Sequence, residues 1–218
     1  MIKPPQSGTS TTAPVLVAPS AAWQAQGLAL TAELRTALAP TAVHVEHIGS
    51  TAVPGMAAKP VFDLQIGVAD LEAAEQAFAG PLADLGFQLS RHRHDHVPAG
   101  RDDDPQQWTK RLWTRRHEPA TQPPTRDSGS APASVRTVGI NLHVRRLGSP
   151  NERLALLFRD WFRAHPEAVP AYARFKQLLA DAVDDTGTYA DVKDPVVDLV
   201  ITVAEPWASA TGWSPYGS

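Results

Sequence analysis

His47-Ile48-Gly49-Ser50-Thr51-Ala52-Val53-Pro54-Gly55-Met56-Ala57-Ala58-Lys59-Pro60-Val61-Phe62-Asp63-Leu64-Gln65 is the stretch from which the rest of the chain can be read. The segment Ala42 to Ile48 alternates enough to form a strand and ends at Gly49-Ser50-Thr51. The short apolar run Val61 to Val68, interrupted by Asp63, Gln65 and Gly67, reads as a second strand whose alternate residues face a site. Glycine admits close backbone approach, and a serine opening a helical turn sets a hydroxyl beside free backbone amides, a combination that suits phosphate oxygens. A carboxylate on the neighbouring strand can hold a divalent cation that bridges such phosphates. Ser50 either contacts phosphate or caps the turn. Asp63 needs a cleft, a cation or a basic partner, because a buried unpaired carboxylate is costly. Lys59 or Lys110 could be that partner in a purely structural ion pair.

Working outward, residues 1–20 are rich in Ser, Thr, Pro and Ala and are expected to lack fixed structure. Trp23, Leu28, Leu30, Leu34 and Leu38 recur at near-helical spacing over Ala21 to Leu38, with Ser20 as the expected N-cap. Asp70 is expected to cap a helix over Leu71 to Leu85. Gly86 to Arg93, Trp108 to His117 and Thr137 to Arg145 read as strands, and 118–134 as a mobile Pro/Ser/Thr/Gly excursion between two of them. From Asn151 three apolar stripes follow at helical spacing: Leu154/Leu157/Phe158/Trp161/Phe162, Tyr172/Phe175/Leu178/Leu179 and Val196/Val197/Val200/Ile201. Mixed strands followed by segregated helices predict an α+β fold, a mixed sheet with flanking helices and a helical C-terminal part, in one domain over 21–207.

The 218 residues are 43% hydrophobic and 20% charged, with a formal net charge of −3. That balance speaks against a nucleic-acid or membrane-surface partner, since a polyanion demands concentrated positive charge. With no cysteine, disulfides, thiolate zinc sites and a cysteine nucleophile are excluded. Met1 to Ala22 holds one lysine and a four-residue apolar run, too little for a signal peptide or membrane helix, so a soluble cytoplasmic protein is expected.

The Gly-Ser pair, with twelve residues separating Ser50 from the carboxylate of Asp63, resembles DNA polymerase beta-like nucleotidyltransferases. More specifically, HIGSTAVPGMAAKPVFDL (47–64) is similar to the signature of the GrpB family, usually placed in that superfamily. The similarity extends over about 22–205. Lys110 sits where that family has a strand lysine, and Asn141-Leu142-His143-Val144 resembles its HLHV strand. LLFRDWFRAHP (156–166), YARFKQLLA (172–180) and Tyr189-x3-Lys193 resemble its helical half. The resemblance implies a nucleotidyltransferase-type core and a small-molecule nucleotide or phosphometabolite ligand, held by Gly49, Ser50, Thr51, Lys59, Lys110, His143, Tyr172, Lys176, Tyr189 and Lys193. Asp63, the catalytic carboxylate, and Gln65 would be the metal-facing pair. GrpB-type domains also occur fused to dephospho-CoA kinase, an associative hint of coenzyme A metabolism.

One departure bears on chemistry. Nucleotidyl transfer calls for a second carboxylate two residues after the first and a third on a later strand. Here those places hold Gln65, then Asn141 and His143. The expectation is therefore Mg2+ held by Asp63 only together with a nucleotide. Two readings stand: Mg2+-dependent nucleotidyl transfer to an unidentified acceptor, and a non-catalytic nucleotide or phosphometabolite binder, with the oligomeric state open. Tyr172/Lys176, Tyr189/Lys193 and Arg159/Arg163 each share a helix face and either line the cleft or meet water. His92-x-His94-x-His96 could ligate a metal or form a solvated edge, and Asp102-Asp103-Asp104 could hold a cation or be a solvated loop.

Overall fold

The computed structural model describes residues 13–101, 103–116 and 139–217. Helix α1 (Ala22–Ala37) leads into strand β1 (His44–Ile48), a 3-10 turn over Ser50–Ala52, strand β2 (Val61–Val68) and helix α2 (Leu71–Asp84). Strands β3 (Gln88–Leu89), β4 (Lys110–Arg116) and β5 (Gly139–Arg146) complete the sheet. Helices α3 (Pro150–Ala164), α4 (Val169–Ala182) and α5 (Thr186–Thr211) follow. The sheet has five strands in the order β1-β2-β5-β4-β3, with β2 and β5 parallel and every other neighbouring pair antiparallel. The fold is α+β with a mixed sheet, and Ala42–Ile48 and Val61–Val68 do supply neighbouring strands around a turn opened by Ser50.

Alternation along the strands gives the sheet two different faces. Phe62, Leu64, Ile66 and Val68 of β2 and Ile140, Leu142 and Val144 of β5 pack with Trp23 and Leu34 of α1 and Phe78 and Leu82 of α2. The opposite face is polar, and its side chains fall in register rows. Asp63, Asn141 and Thr114 make one row, Gln65, His143 and Leu112 the next, and Gly67, Arg145 and Lys110 the third. Helices α3 and α5 lie over this face, joined to each other by Leu154, Leu157, Ile201, Ala204 and Ala208.

Local chemistry explains most element ends. Asp70 caps α2, its carboxylate accepting from the Ala73 amide at 2.7 Å. Asp185 does the same for α5, accepting from the amides of Gly187 and Thr188 at 2.8 and 2.9 Å. Ser20 takes the Ala22 amide at 3.3 Å, but the cap position itself falls on Ala21.

Two sequence expectations change. Part of 1–20 is held: Val17 and Ala58 exchange backbone hydrogen bonds of 2.9 and 3.2 Å, and Leu16 packs against the cluster of Leu179, Ala180 and Tyr189. The strand expected over Gly86–Arg93 shortens to Gln88–Leu89. Beyond Ser90 the chain leaves its regular pairing with β4 and rejoins it only at His94–Thr109, which turns Asp95 toward the polar face. The strand expected from Thr137 is described from Gly139, and the expected excursion 118–134, with Asp102 and residues 1–12, lies outside the described residues. No helix among the described residues is long and apolar enough to cross a membrane.

Candidate functional site

Between the polar sheet face, α3 and α5 lies a cavity of about 300 Å3. Gly49, Ser50 and Asp63 line one part of it, His143 and Arg145 its floor, and Tyr172 and Lys193 its helical side. Gly49 is required here for two reasons. Its φ of 69° favours glycine, and a Cβ there would stand 2.6 Å from Asp63 Oδ2. The turn and the carboxylate are thereby pressed together, with Ile48 opposite Asp63 in the strand pairing.

Asp63 is held by β5. Asn141 Nδ2 donates to its Oδ1 at 2.8 Å, and His143 Nε2 lies 3.7 Å from the same oxygen. Burial opposes ionisation, but His143, Asn141 and the Lys59 ammonium outweigh it and hold the Asp63 carboxyl well below the usual range. His143 itself is pushed down to about 4 by burial and by the charges of Lys110 and Arg145. Those two cations lie 3.4 and 3.3 Å from Nδ1. Nδ1 is therefore the acceptor and the proton of the neutral ring sits on Nε2, facing Asp63.

Lys176, 2% exposed, reaches from α4 behind the turn. Its Nζ donates to Ser50 Oγ at 2.8 Å and to the Ala57 carbonyl at 2.6 Å, and lies over the Tyr172 ring. Burial lowers its pKa to about 7, with Lys193 and Lys59 adding to the effect against Asp63. Lys59 lies 5.1 Å from the centroid of the Tyr189 ring and is also lowered, by burial first. Lys59 and Lys176 thus both act on Asp63 at the Gly49-Ser50 turn, and Lys193 adds positive charge beside the two lysines. Arg116 comes up beside them, donating to Asn141 Oδ1 at 3.2 Å.

Other expected site residues are occupied elsewhere. Thr51 is buried and its hydroxyl pairs with His47 Nε2 at 2.9 Å, so it does not face a ligand. Lys110 does not neutralise Asp63 or reach the turn, because its Nζ sits 2.5 Å from Asp95 Oδ1. Tyr189 is buried against Leu179 and Ala180, and only its ring, under Lys59, relates to the site. Gln65 does lie beside Asp63 on the same face, but it is 1% exposed. Its Oε1 accepts from Arg145 at 2.5 Å and its Nε2 donates to the Glu152 carbonyl at 3.2 Å. An oxygen already facing a guanidinium is a poor cation ligand. Arg159 and Arg163 brace the scaffold: Arg159 bonds Glu46 at 2.7 Å and the His47 carbonyl at 3.1 Å, and Arg163 bonds the Ala52 carbonyl at 3.0 Å. His92 and His94 are exposed, and His96 meets Asp198 at 3.0 Å.

The residue the sequence reading passed over is Asp95. It accepts from Lys110, from Arg145 at 2.8 and 3.1 Å and from Asn151 at 3.0 Å. The signal was available in Arg145, which shares the strand face of Asn141 and His143 and so needed a buried counter-charge.

The donor set does not fit a resident divalent cation. Asp63 is a lone carboxylate among ammonium groups, Gln65 is engaged, and Asn141 presents its amide hydrogen rather than its oxygen. Among the described residues no group of three or more His, Cys, Asp or Glu side chains is placed to hold a metal ion.

Comparison with known proteins agrees with this architecture. The chain is 34% identical to a protein named dephospho-CoA kinase from Mycolicibacterium paratuberculosis, over 93% of this chain and 49% of that one. It is 32% identical to a UPF0157 protein of Pseudomonas aeruginosa, over 83% of this chain and 63% of the other. The chain spans about half the length of the dephospho-CoA kinases it matches. The crystal structure of the conserved protein GrpB from Enterococcus faecalis superposes with a TM-score of 0.64 at 23% identity, covering 88% of this chain and 99% of that one, which shows a shared fold. The family model described as GrpB protein matches residues 13–202, and with the Gly49-Ser50 turn and Asp63 inside that span, the chain belongs to the GrpB family.

Proposed function

We propose that the cleft binds a phosphorylated small molecule, a nucleotide or another phosphometabolite, at the Gly49-Ser50 turn, without a resident divalent cation. The observation that carries this reading is Lys176. It is a buried ammonium that touches a hydroxyl and a carbonyl and, among the described residues, forms no ion pair, with Lys59 and Lys193 adding positive charge nearby. Burial without an anionic partner lowers the Lys176 pKa to about 7, and an anion bound beside it would restore the full charge. A phosphate group beside the turn, accepting from the Ser50 hydroxyl and the remaining N–H of Lys176 with Lys59 and Lys193 nearby, would do so, each charge-assisted hydrogen bond strengthened by the low local dielectric. Asp63, next to the turn and ionised, would orient rather than repel such a ligand by accepting from its hydroxyl groups.

Nucleotidyl transfer is the alternative, and it would need a metal at Asp63 against the surrounding ammonium charge. The donor set favours binding over transfer. Because several relatives carry the name dephospho-CoA kinase, coenzyme A-related phosphometabolites belong with nucleotides among the first compounds to offer.

Thermal-shift and calorimetric titration with inorganic phosphate, pyrophosphate, ATP and dephospho-CoA, each with and without Mg2+, tests the reading. Concentration-dependent stabilisation that needs no Mg2+ and disappears in Lys176→Met is the expected outcome. Stabilisation that appears only with Mg2+ and is lost in Asp63→Asn would replace it with the transferase reading.

A further inference from the structure

The cavity does not end at the turn. On α5 it is lined by Lys193, Asp194, Val197, Asp198 and Ile201, whose first and last members stand eight rises apart, about 12 Å at 1.5 Å per residue. Its character changes along that span. Lys193 belongs to the cationic group at Ser50, the two aspartates follow, and Leu154, Phe158 and Ile201 supply apolar wall.

The two aspartates differ in how well they are satisfied. Asp198 accepts from His96 at 3.0 Å and from the Ala99 amide at 2.9 Å. Asp194 has no ammonium or guanidinium within 4.0 Å among the described residues; the nearest basic atom is His96 Nδ1 at 3.9 Å, on a ring already bonded to Asp198. Burial raises its pKa against the pull of Lys193 and His96, and the neighbouring charges of Asp198 and Asp191 add to the rise. Asp194, its side chain 30% exposed, thus presents to the cavity a carboxylate with no ammonium or guanidinium bonded to it among the described residues, an acceptor open to a protonated amine.

Resting on the phosphate reading above, we propose that the ligand is zwitterionic, a phosphate ester carrying a protonated amine. The phosphate sits at Ser50 and Lys176, and the amine donates to Asp194. The aliphatic part of such a molecule lies against Leu154, Phe158 and Val197, which offer it no hydrogen bonds. Each end of the ligand then meets a group of opposite charge, Lys176 at one end and Asp194 at the other.

Matched pairs of small compounds test this by calorimetry on the whole chain: O-phosphoethanolamine against ethyl phosphate, and glucosamine 6-phosphate against glucose 6-phosphate. The amine-bearing member of at least one pair should bind tenfold or more tightly, as expected for one charge-assisted hydrogen bond. Asp194→Asn should reduce that preference to near parity while inorganic phosphate still binds, which also shows that the variant is folded. Equal binding within both pairs, with phosphate still bound and still dependent on Lys176, overturns the zwitterion and leaves the phosphate site standing. A preference that survives Asp194→Asn likewise overturns it. Absence of phosphate binding altogether fails the underlying reading instead.

Discussion

Arg145 and Asp95, fifty residues apart, share two hydrogen bonds of 2.8 and 3.1 Å beneath the cavity, and Lys110 binds the same carboxylate. Two buried cations therefore depend on one anion. Asp95→Asn leaves both incompletely paired, and about 3–5 kcal/mol of stability should be lost. Urea unfolding measures it; a loss under about 1 kcal/mol would show that water or Gln65 takes over the role.

Lys176→Met should separate binding from stability. The substitution removes a buried charge that has only a hydroxyl and a carbonyl as partners, and methionine fills a similar volume. Stability should rise by about 1 kcal/mol while phosphate binding is lost. A variant that is less stable and still binds phosphate would reassign Lys176 to a structural role.

Gly27 offers a test with a counterintuitive sign. Inside α1, glycine to alanine ordinarily stabilises a helix by up to about 1 kcal/mol. Here an added Cβ would meet the His47 ring at 2.1 Å, and His47 is fixed by its bond to Thr51. Gly27→Ala should cost about 1–3 kcal/mol through overpacking and displace the turn beside it. Thermal denaturation decides; a rise in melting temperature would mean that the His47 ring moves freely.

Acid should loosen the fold in a defined window. His47 and His143 are pushed down to about 4, mainly by burial, from an unfolded value of 6.5. Between these values the unfolded chain binds more protons, so stability is full above 6.5 and falls as pH drops toward 4, by at most about 3 kcal/mol per histidine. Asp63 and Asp95, held below the usual carboxylate range, extend the loss to lower pH. Unfolding free energy measured from pH 7 to 4 should slope steeply, and His143→Gln should flatten part of it. A flat profile in the unaltered protein would contradict the burial of both rings.

Arg116 pairs directly with Gly139 across the β4–β5 ladder. Arg116 and Gly139 therefore stand at hairpin distance, and a two-residue Asn-Gly turn can join them. Replacing 117–138 by such a turn should leave the melting temperature within a few degrees. Failure of that shortened chain to fold would show that the segment contributes to the core.

What the sequence made legible was local. Asp70 as a cap, the Gly49-Ser50 turn between two strands, and Asp63 and Gln65 on one face all follow from spacing and from residue chemistry within a few positions. The α+β class followed from the order of strands and helices. What escaped were contacts set by long-range pairing. Asp95 sits among arginines and histidines that read as a solvated edge, and only the departure of the chain from β4 after Ser90 turns it inward. Gln65 looked like a weakened metal ligand because its partner Arg145 is eighty residues away. Thr51 looked like part of the phosphate turn because nothing local discloses that its hydroxyl faces His47.

Strand β5, although last of the five in sequence, lies between β2 and β4. During synthesis the β1–β2 and β3–β4 pairs can each form before it emerges, and both then present an open inner edge to the surroundings. Unpaired edges of this kind attract other chains. The interval between translation of Arg116 and of Arg146 is thus the period of greatest exposure for the nascent chain, and slowing the ribosome there should favour aggregation over release of folded protein.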